Sequence, residues 1–193
     1  MNVQRRIKHN DLIPHSFLEA ITRVFPDAVI HTNMMKINTA TALLENDVDL
    51  TKWLAVEELQ KIHSFALLKR KKEWLAGRIC AKIVTACQLQ LSQPVQYHRI
   101  QIANHESGRP YFQPTGEYAH LRMHDVSISH SGEFAIAICA DNFCGVDIQK
   151  PSDTLARVPA LKPSVDCQRG YPQSHRPQIY PRLSRNTASR NQN

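Results

Sequence analysis

No stretch of the 193-residue chain comes near the roughly 18 to 20 consecutive apolar residues that a membrane-spanning helix needs. The first thirty residues have neither the apolar core nor the small-residue cleavage site of a secretion signal. A soluble, cytoplasmic protein is therefore expected. Cysteine is sparse and badly placed for cross-linking. Cys80, Cys87, Cys139, Cys144 and Cys167 are odd in number, contain no C-x-x-C pair and sit mostly inside apolar runs, which argues against a disulfide framework or a zinc site and for buried thiols. Aromatic residues make up 7% of the chain, and no helix-turn-helix, zinc or RNA-recognition signature is present. Both facts weigh against a nucleic-acid-binding module despite the formal charge of +7. The charge is also unevenly spread: residues 1–150 hold 17 Lys and Arg against 15 Asp and Glu, whereas residues 151–193 hold 7 against 2.

With 42% hydrophobic and 21% charged residues, the chain has enough apolar material for one ordinary domain or two small ones. Its composition changes near Pro151. Six of the eleven prolines fall after residue 150, where Leu, Ile, Val and Phe together number only six. That is too little to pack a core, so residues 151–193 are expected to be unstructured or foreign to the preceding domain, through a change of reading frame or splice.

Before that point the pattern is mixed α and β. Residues 55–91 contain no Pro and only Gly77, and Leu75, Ile79, Ile83 and Cys87 recur every four residues, which predicts one helix with one buried face. The run from Phe134 to Cys139 reads as a core strand covered on both sides, and Val126–His130 as its partner across a turn at Ser131-Gly132-Glu133. A further short strand is expected from Cys144 to Ile148.

Three groups of residues could carry chemistry. In Ser129-His130-Ser131-Gly132, hydroxyls, imidazole and turn amides could bind phosphate; a turn rich in small polar residues is the plainer alternative. No G-x-S-x-G elbow supports a serine hydrolase. Asp147 lies between β-branched Val146 and Ile148 and shares a strand face with Gln149. Two such oxygen ligands suit Mg²⁺, which takes few protein carboxylates and fills its other positions with water and phosphate. An edge strand with a solvent-facing Asp stays open. The third group is the basic segment Lys69-Arg70-Lys71-Lys72, with Arg78 and Lys82 beyond it and Gly108-Arg109-Pro110-Tyr111 some thirty residues later. It reads either as a solvated face or as phosphate donors, with Arg109 offering a bidentate fork.

Taken in order, these segments resemble the Sfp-type 4'-phosphopantetheinyl transferases. The resemblance is carried by Phe65-x4-Arg70-x2-Glu73-Trp74-Leu75-Ala76-Gly77-Arg78-x3-Lys82, Gly108-Arg109-Pro110-Tyr111, Ile128-Ser129-His130-Ser131-Gly132 and Gly145-Val146-Asp147-Ile148, over about residues 50–150. It implies an α/β (α+β) fold of two pseudo-symmetric halves. The first half is complete at 1–141, the second opens with a strand at 142–150 and is otherwise missing from 151–193. The family moves the phosphopantetheine arm of coenzyme A, with Mg²⁺, to a serine of an apo acyl or peptidyl carrier protein. The resemblance further implies coenzyme A contacts at Ser127, Ile128, Ser129 and His130, with His130 near the 3'-phosphate. Arg109, Lys69 and Lys61 would hold other phosphate oxygens, Asp147 and Gln149 would bind the metal, and Asp147 and His130 would be the catalytic residues. Partners implied are coenzyme A and the carrier protein, with no nucleic acid, no membrane and a monomeric state if folded.

Two departures accompany the resemblance. Gln149 replaces a second acid common in the family. The family's third motif, an aromatic followed by Lys-Glu and a later lysine, has no counterpart after Lys72-Glu73. A lone half is expected to expose apolar surface around Phe134–Cys139, to be of low stability, and to have lost a metal ligand and the base. The alternative function is a non-catalytic coenzyme A or carrier-protein binding module.

Overall fold

The computed structural model describes residues 7–8, 12–45, 47–92, 94–141 and 144–150. The chain divides into two units after Pro151, and the expectations for residues 151–193, Cys167 included, lie outside the described residues. The first unit is α+β. In chain order it comprises β1 (Ile7–Lys8), α1 (His15–Val24), β2 (Ile30–Lys36), α2 (Ile37–Leu44), α3 (Asp47–Trp53), α4 (Val56–Ser64), α5 (Leu68–Gln88), β3 (Gln101–Asn104), β4 (Pro110–Gln113), β5 (His124–Ser131) and β6 (Phe134–Ala140). The six strands form one sheet in the order β1-β2-β6-β5-β4-β3. β1 runs parallel to β2, and every other pairing is antiparallel. No helix of the described residues is long and apolar enough to cross a membrane.

The β5–β6 hairpin stands where the alternation predicts, one or two residues longer at each strand's outer end. Its register, Ser131↔Phe134 through Asp125↔Ala140, sorts the side chains of both strands to opposite faces. Val126, Ala137 and Cys139 pack with Cys80, Ala81 and Val84 of α5, and Ala135 joins Leu75, Ala76 and Ile79. On the other face Ile138 and Ala140 meet Ile30, with Ile21 of α1, Cys144 and Val146 packed against them. The expectation of an apolar strand left bare is therefore corrected: Ala135 through Ala140 are all buried, because α1 and the segment after β6 supply the second cover.

The helix expected over 55–91 is two helices. Phe65 and Leu67 have extended backbones, so the chain turns between α4 and α5, and the Phe65 ring tilts onto Trp74 at 5.8 Å. The four-residue stripe also understates α5. Leu75 and Ile79 are buried, but Ile83 and Cys87 are only half-buried, while Ala76, Gly77, Cys80 and Ala81 are buried too. α5 packs against β2, β5 and β6 and also against α2, and a helix covered by several elements has no single apolar stripe. Gly77 faces β5 so closely that a Cβ there would stand 2.7 Å from Ile128 Cγ2.

Burial all round also overturns the reading of Lys82 as a phosphate donor, and it ties Arg78 to the same buried carboxylate. Lys82 is 0% exposed. Its ammonium meets Glu58 Oε2 at 2.6 Å and donates to the carbonyls of Ile100 at 2.7 Å and Tyr97 at 3.1 Å. Arg78 donates through Nη1 to Ile102 O at 2.5 Å, lies 3.7 Å from Glu58 Oε1 and covers the Trp74 ring. Glu58 Oε2 also accepts the Ala55 amide at the start of α4. One buried carboxylate thus ties α4, α5 and the chain entering β3 together, and Lys82 is closed off from any ligand, whereas Arg78, though held by Glu58, also borders the cleft that His130 lines.

Candidate functional site

The segment Cys144–Lys150 carries the expected metal ligands. It is extended but pairs with β5 in an unusual way. Its amides at Cys144, Val146, Ile148 and Lys150 donate to side-chain oxygens of Asp125, Ser127, Ser129 and Ser131 at 2.9, 3.0, 3.2 and 3.0 Å. Every second amide meets every second β5 side chain at a constant offset, so the segment runs parallel to β5 over the sheet face opposite α5. The strand expected at Cys144–Ile148 is corrected accordingly, because a backbone ladder requires main-chain acceptors and this one uses hydroxyls and a carboxylate.

The ladder brings Ser129, Asp147 and Gln149 together. Ser129 Oγ donates to Asp147 Oδ1 at 2.8 Å, and Gln149 Nε2 donates to Asp147 Oδ2 at 2.9 Å. These two donors, the Ser129 hydroxyl foremost, hold the Asp147 carboxyl below the usual carboxylate range. Asp147 is exposed while Val146 and Ile148 are half-buried, so the solvent-facing alternative describes its setting, and its shared face with Gln149 is as expected. An ionised carboxylate beside an amide carbonyl fits Mg²⁺ in its usual mode of few protein oxygens plus water and phosphate. Among the described residues no cluster of three or more His, Cys, Asp or Glu is arranged for a metal.

His130 belongs to the other face. With Ile128 it lines a cleft of about 200 Å³ whose walls include Arg70, Glu73, Trp74 and Gly108. The two residues expected to be catalytic are therefore on opposite sides of β5, Asp147 bonded to Ser129 on one face and His130 on the other, because the adjacent strand residues Ser129 and His130 point to opposite faces. Lys61 and Lys69 sit apart, around the α4–α5 turn. Lys61 stands over the Phe65 ring, and the exposed Lys69 is 3.8 Å from the mostly buried Glu73 one turn on. Arg109 is committed elsewhere: it ion-pairs with Asp125 and donates to Cys144 O at 2.8 Å, clamping the start of the ladder. Beside it, Gly108 takes a φ of +83° with open space where a Cβ would be, so this glycine serves the β3–β4 turn as well as bordering the cleft.

Sequence reading passed over Asp125 and Glu58. The alternation Asp125-x-Ser127-x-Ser129-x-Ser131 was a visible signal for the first, since four oxygen-bearing side chains on one strand face invite a partner with free donors. Glu58 carried no such signal.

Residues 44–142 match the family model described as 4'-phosphopantetheinyl transferase, N-terminal. The chain belongs to the 4'-phosphopantetheinyl transferase family. Among relatives of this transferase, the holo-[acyl-carrier-protein] synthase of Geobacillus sp. (strain WCH70) is 40% identical over 86 residues, 44% of this chain and 70% of that one. The enzyme of the same name from Lactococcus lactis subsp. cremoris (strain SK11) is 34% identical over 118 residues, 59% of this chain and 93% of the relative. A match confined to part of this transferase thus spans nearly the whole of that relative. A crystal structure of a holo-(acyl-carrier-protein) synthase from Bacillus anthracis str. Ames in complex with CoA (3',5'-ADP) is 26% identical, covering 57% of this chain and 92% of that one with a TM-score of 0.47.

Proposed function

We propose that this chain is a holo-carrier-protein synthase, transferring the 4'-phosphopantetheine arm of coenzyme A to a serine of an apo acyl carrier protein with Mg²⁺. The observation that carries the reading is the placement of Asp147, ionised and hydrogen-bonded by Ser129 and Gln149, on a segment whose Gly-Val-Asp-Ile sequence carries the family resemblance. The match to 93% of the length of a holo-[acyl-carrier-protein] synthase supports the same reading.

In this reading Asp147 and Gln149 would hold Mg²⁺, which when bound would neutralise charge building on the phosphate of the departing 3',5'-ADP. Asp147 stays a carboxylate because Ser129 and Gln149 donate to it, so no proton need be displaced on loading. His130 and Arg70, in the cleft on the α5 side, offer donors to phosphate oxygens of coenzyme A, His130 to the 3'-phosphate. Fixed positive or donating groups at such oxygens stabilise charge without reorganisation. The carrier serine oxygen attacks the β-phosphate. A new O–P bond forms, the P–O bond to 3',5'-ADP breaks, and the serine proton is released. The proposed setting is the cytoplasm.

The test is intact-mass spectrometry of an apo acyl carrier protein incubated with the full chain, coenzyme A and Mg²⁺. The expected result is a gain of one phosphopantetheine arm, abolished by EDTA and by Asp147→Asn. No gain from protein shown to be folded by circular dichroism would refute the catalytic reading.

A further inference from the structure

The segment that carries Asp147 has no backbone partner in β5. Its register is written in the side chains of Asp125, Ser127, Ser129 and Ser131, which receive the amides of Cys144, Val146, Ile148 and Lys150 in turn. Arg109 locks the first rung from both sides, since it pairs with Asp125 and donates to the carbonyl of Cys144. At the last rung Lys150 folds its side chain against the β5–β6 turn, with Cδ 3.5 Å from where a Cβ on Gly132 would be. Only the Ser129 rung also touches Asp147. The rungs on either side of it, Ser127 and Ser131, accept the amides of Val146 and Lys150, which is the place of register pins.

From this juxtaposition we infer that Ser127 and Ser131, with the Asp125–Arg109 clamp, are positioning residues of the transfer reaction: they hold the segment in the one register that delivers the Asp147 carboxylate to Ser129. The inference rests on the metal role given to Asp147 above. The strand geometry shows why register matters. A slip of one residue turns Asp147 toward the sheet and Val146 or Ile148 toward solvent, and a slip of two moves the carboxylate by roughly 6.6 Å along β5. A main-chain ladder would resist such slips whatever its side chains were. A hydroxyl ladder resists them only while the hydroxyls are present, because each rung is a single side-chain oxygen. The alternation Asp-x-Ser-x-Ser-x-Ser in β5 therefore does for the Asp147 segment what a neighbouring strand's backbone does elsewhere.

Two measurements on the full chain test this. Amide hydrogen exchange by NMR should show alternating protection, with Cys144, Val146, Ile148 and Lys150 protected and Gly145, Asp147 and Gln149 exchanging fast. In Ser127→Ala/Ser131→Ala, protection at Val146 and Lys150 should vanish while the β5 and β6 amides stay protected, which shows that the sheet is intact. Mn²⁺ is then titrated in as the probe cation, followed by line broadening at residues 146–149. The double variant should bind it about tenfold more weakly, in the range that loss of residues orienting a ligand costs, and Ser127→Thr/Ser131→Thr, which keeps both hydroxyls, should restore the affinity. Unchanged protection in the double variant, or lost protection with undiminished Mn²⁺ affinity, would overturn the inference. Wild-type Mn²⁺ binding that ignores Asp147→Ala would instead remove the metal reading of Asp147, and with it the role of the pins in the reaction, while the alternating protection would still be observed.

Discussion

Replacing Glu58 by Gln should be among the most damaging conservative changes in the protein. The substitution preserves shape and an oxygen for the Ala55 amide, which sits 3.0 Å from Glu58 Oε2, but removes the negative charge that faces two buried cations. Lys82 is fully buried with its ammonium 2.6 Å from Glu58, and Arg78 is buried with Nε at 3.7 Å. Breaking a buried pair by removing one partner costs about 3 to 5 kcal/mol. For a domain of this size each kcal/mol lowers the melting temperature by about 2 to 4 °C, so a drop of roughly 6 to 20 °C is expected. A pH signature separates this cause from lost packing. Burial already pulls the Lys82 amine below its ordinary value, with Glu58 opposing that pull. Without Glu58 the folded-state pKa falls further, the unfolded chain binds the extra proton, and stability rises with pH as the folded ammonium deprotonates. The deficit of the variant should therefore shrink on going from about pH 7 to pH 9. Urea denaturation followed by circular dichroism provides the readout. A Glu58→Gln protein within about 1 kcal/mol of wild type, or a deficit that does not change with pH, would refute the reasoning.

Three further outcomes are expected. Gly77→Ala should destabilise the fold by up to about 2 kcal/mol net: Ala favours a helix over Gly by about 1 kcal/mol, but its Cβ would meet the stiff Ile128 Cγ2 at 2.7 Å, and overpacking costs about 1 to 3 kcal/mol. A thermal melt showing the variant more stable than wild type would refute the close approach. Burial first, and the nearby Arg122 second, lower the His124 imidazole below its ordinary value. Stability tied to neutral His124 is present above the unfolded value and lost as pH falls toward the folded one, so urea midpoints should decline from about pH 7 to pH 5 and His124→Gln should flatten the decline. His130→Ala should raise the KM for coenzyme A by about 10- to 150-fold, the equivalent of one hydrogen bond to a charged phosphate at about 1.5 to 3 kcal/mol. The same change should erase the preference over 3'-dephospho-coenzyme A, and a preference that survives would place the 3'-phosphate elsewhere.

The local elements were legible because each depends on neighbours in sequence. The β5–β6 hairpin follows from alternation on either side of Ser131-Gly132-Glu133, and the helical pattern of α5 follows from spacing within a single run. The order of motifs from Glu73-Trp74-Leu75-Ala76-Gly77 to Gly145-Val146-Asp147-Ile148 pointed to the transferase family, which the match over residues 44–142 shows. The pairing of Asp147 with Gln149 was legible too, as a period of two puts them on one face.

Tertiary structure decided what each charged residue is used for. Arg78 and Lys82 read as part of a basic, solvated or phosphate-binding run, yet both are buried around Glu58, a residue twenty positions and a turn away whose carboxylate nothing local distinguishes from that of Glu57. Arg109 looked free to grip a phosphate and instead clamps Asp125 and Cys144. Ser129 and His130, adjacent in the chain and grouped as one site, face opposite sides of β5. Sequence patterns report periodicity, which is a property of one segment. The environment of an ionisable group is set by whichever distant segment packs against it, and only the folded chain specifies that.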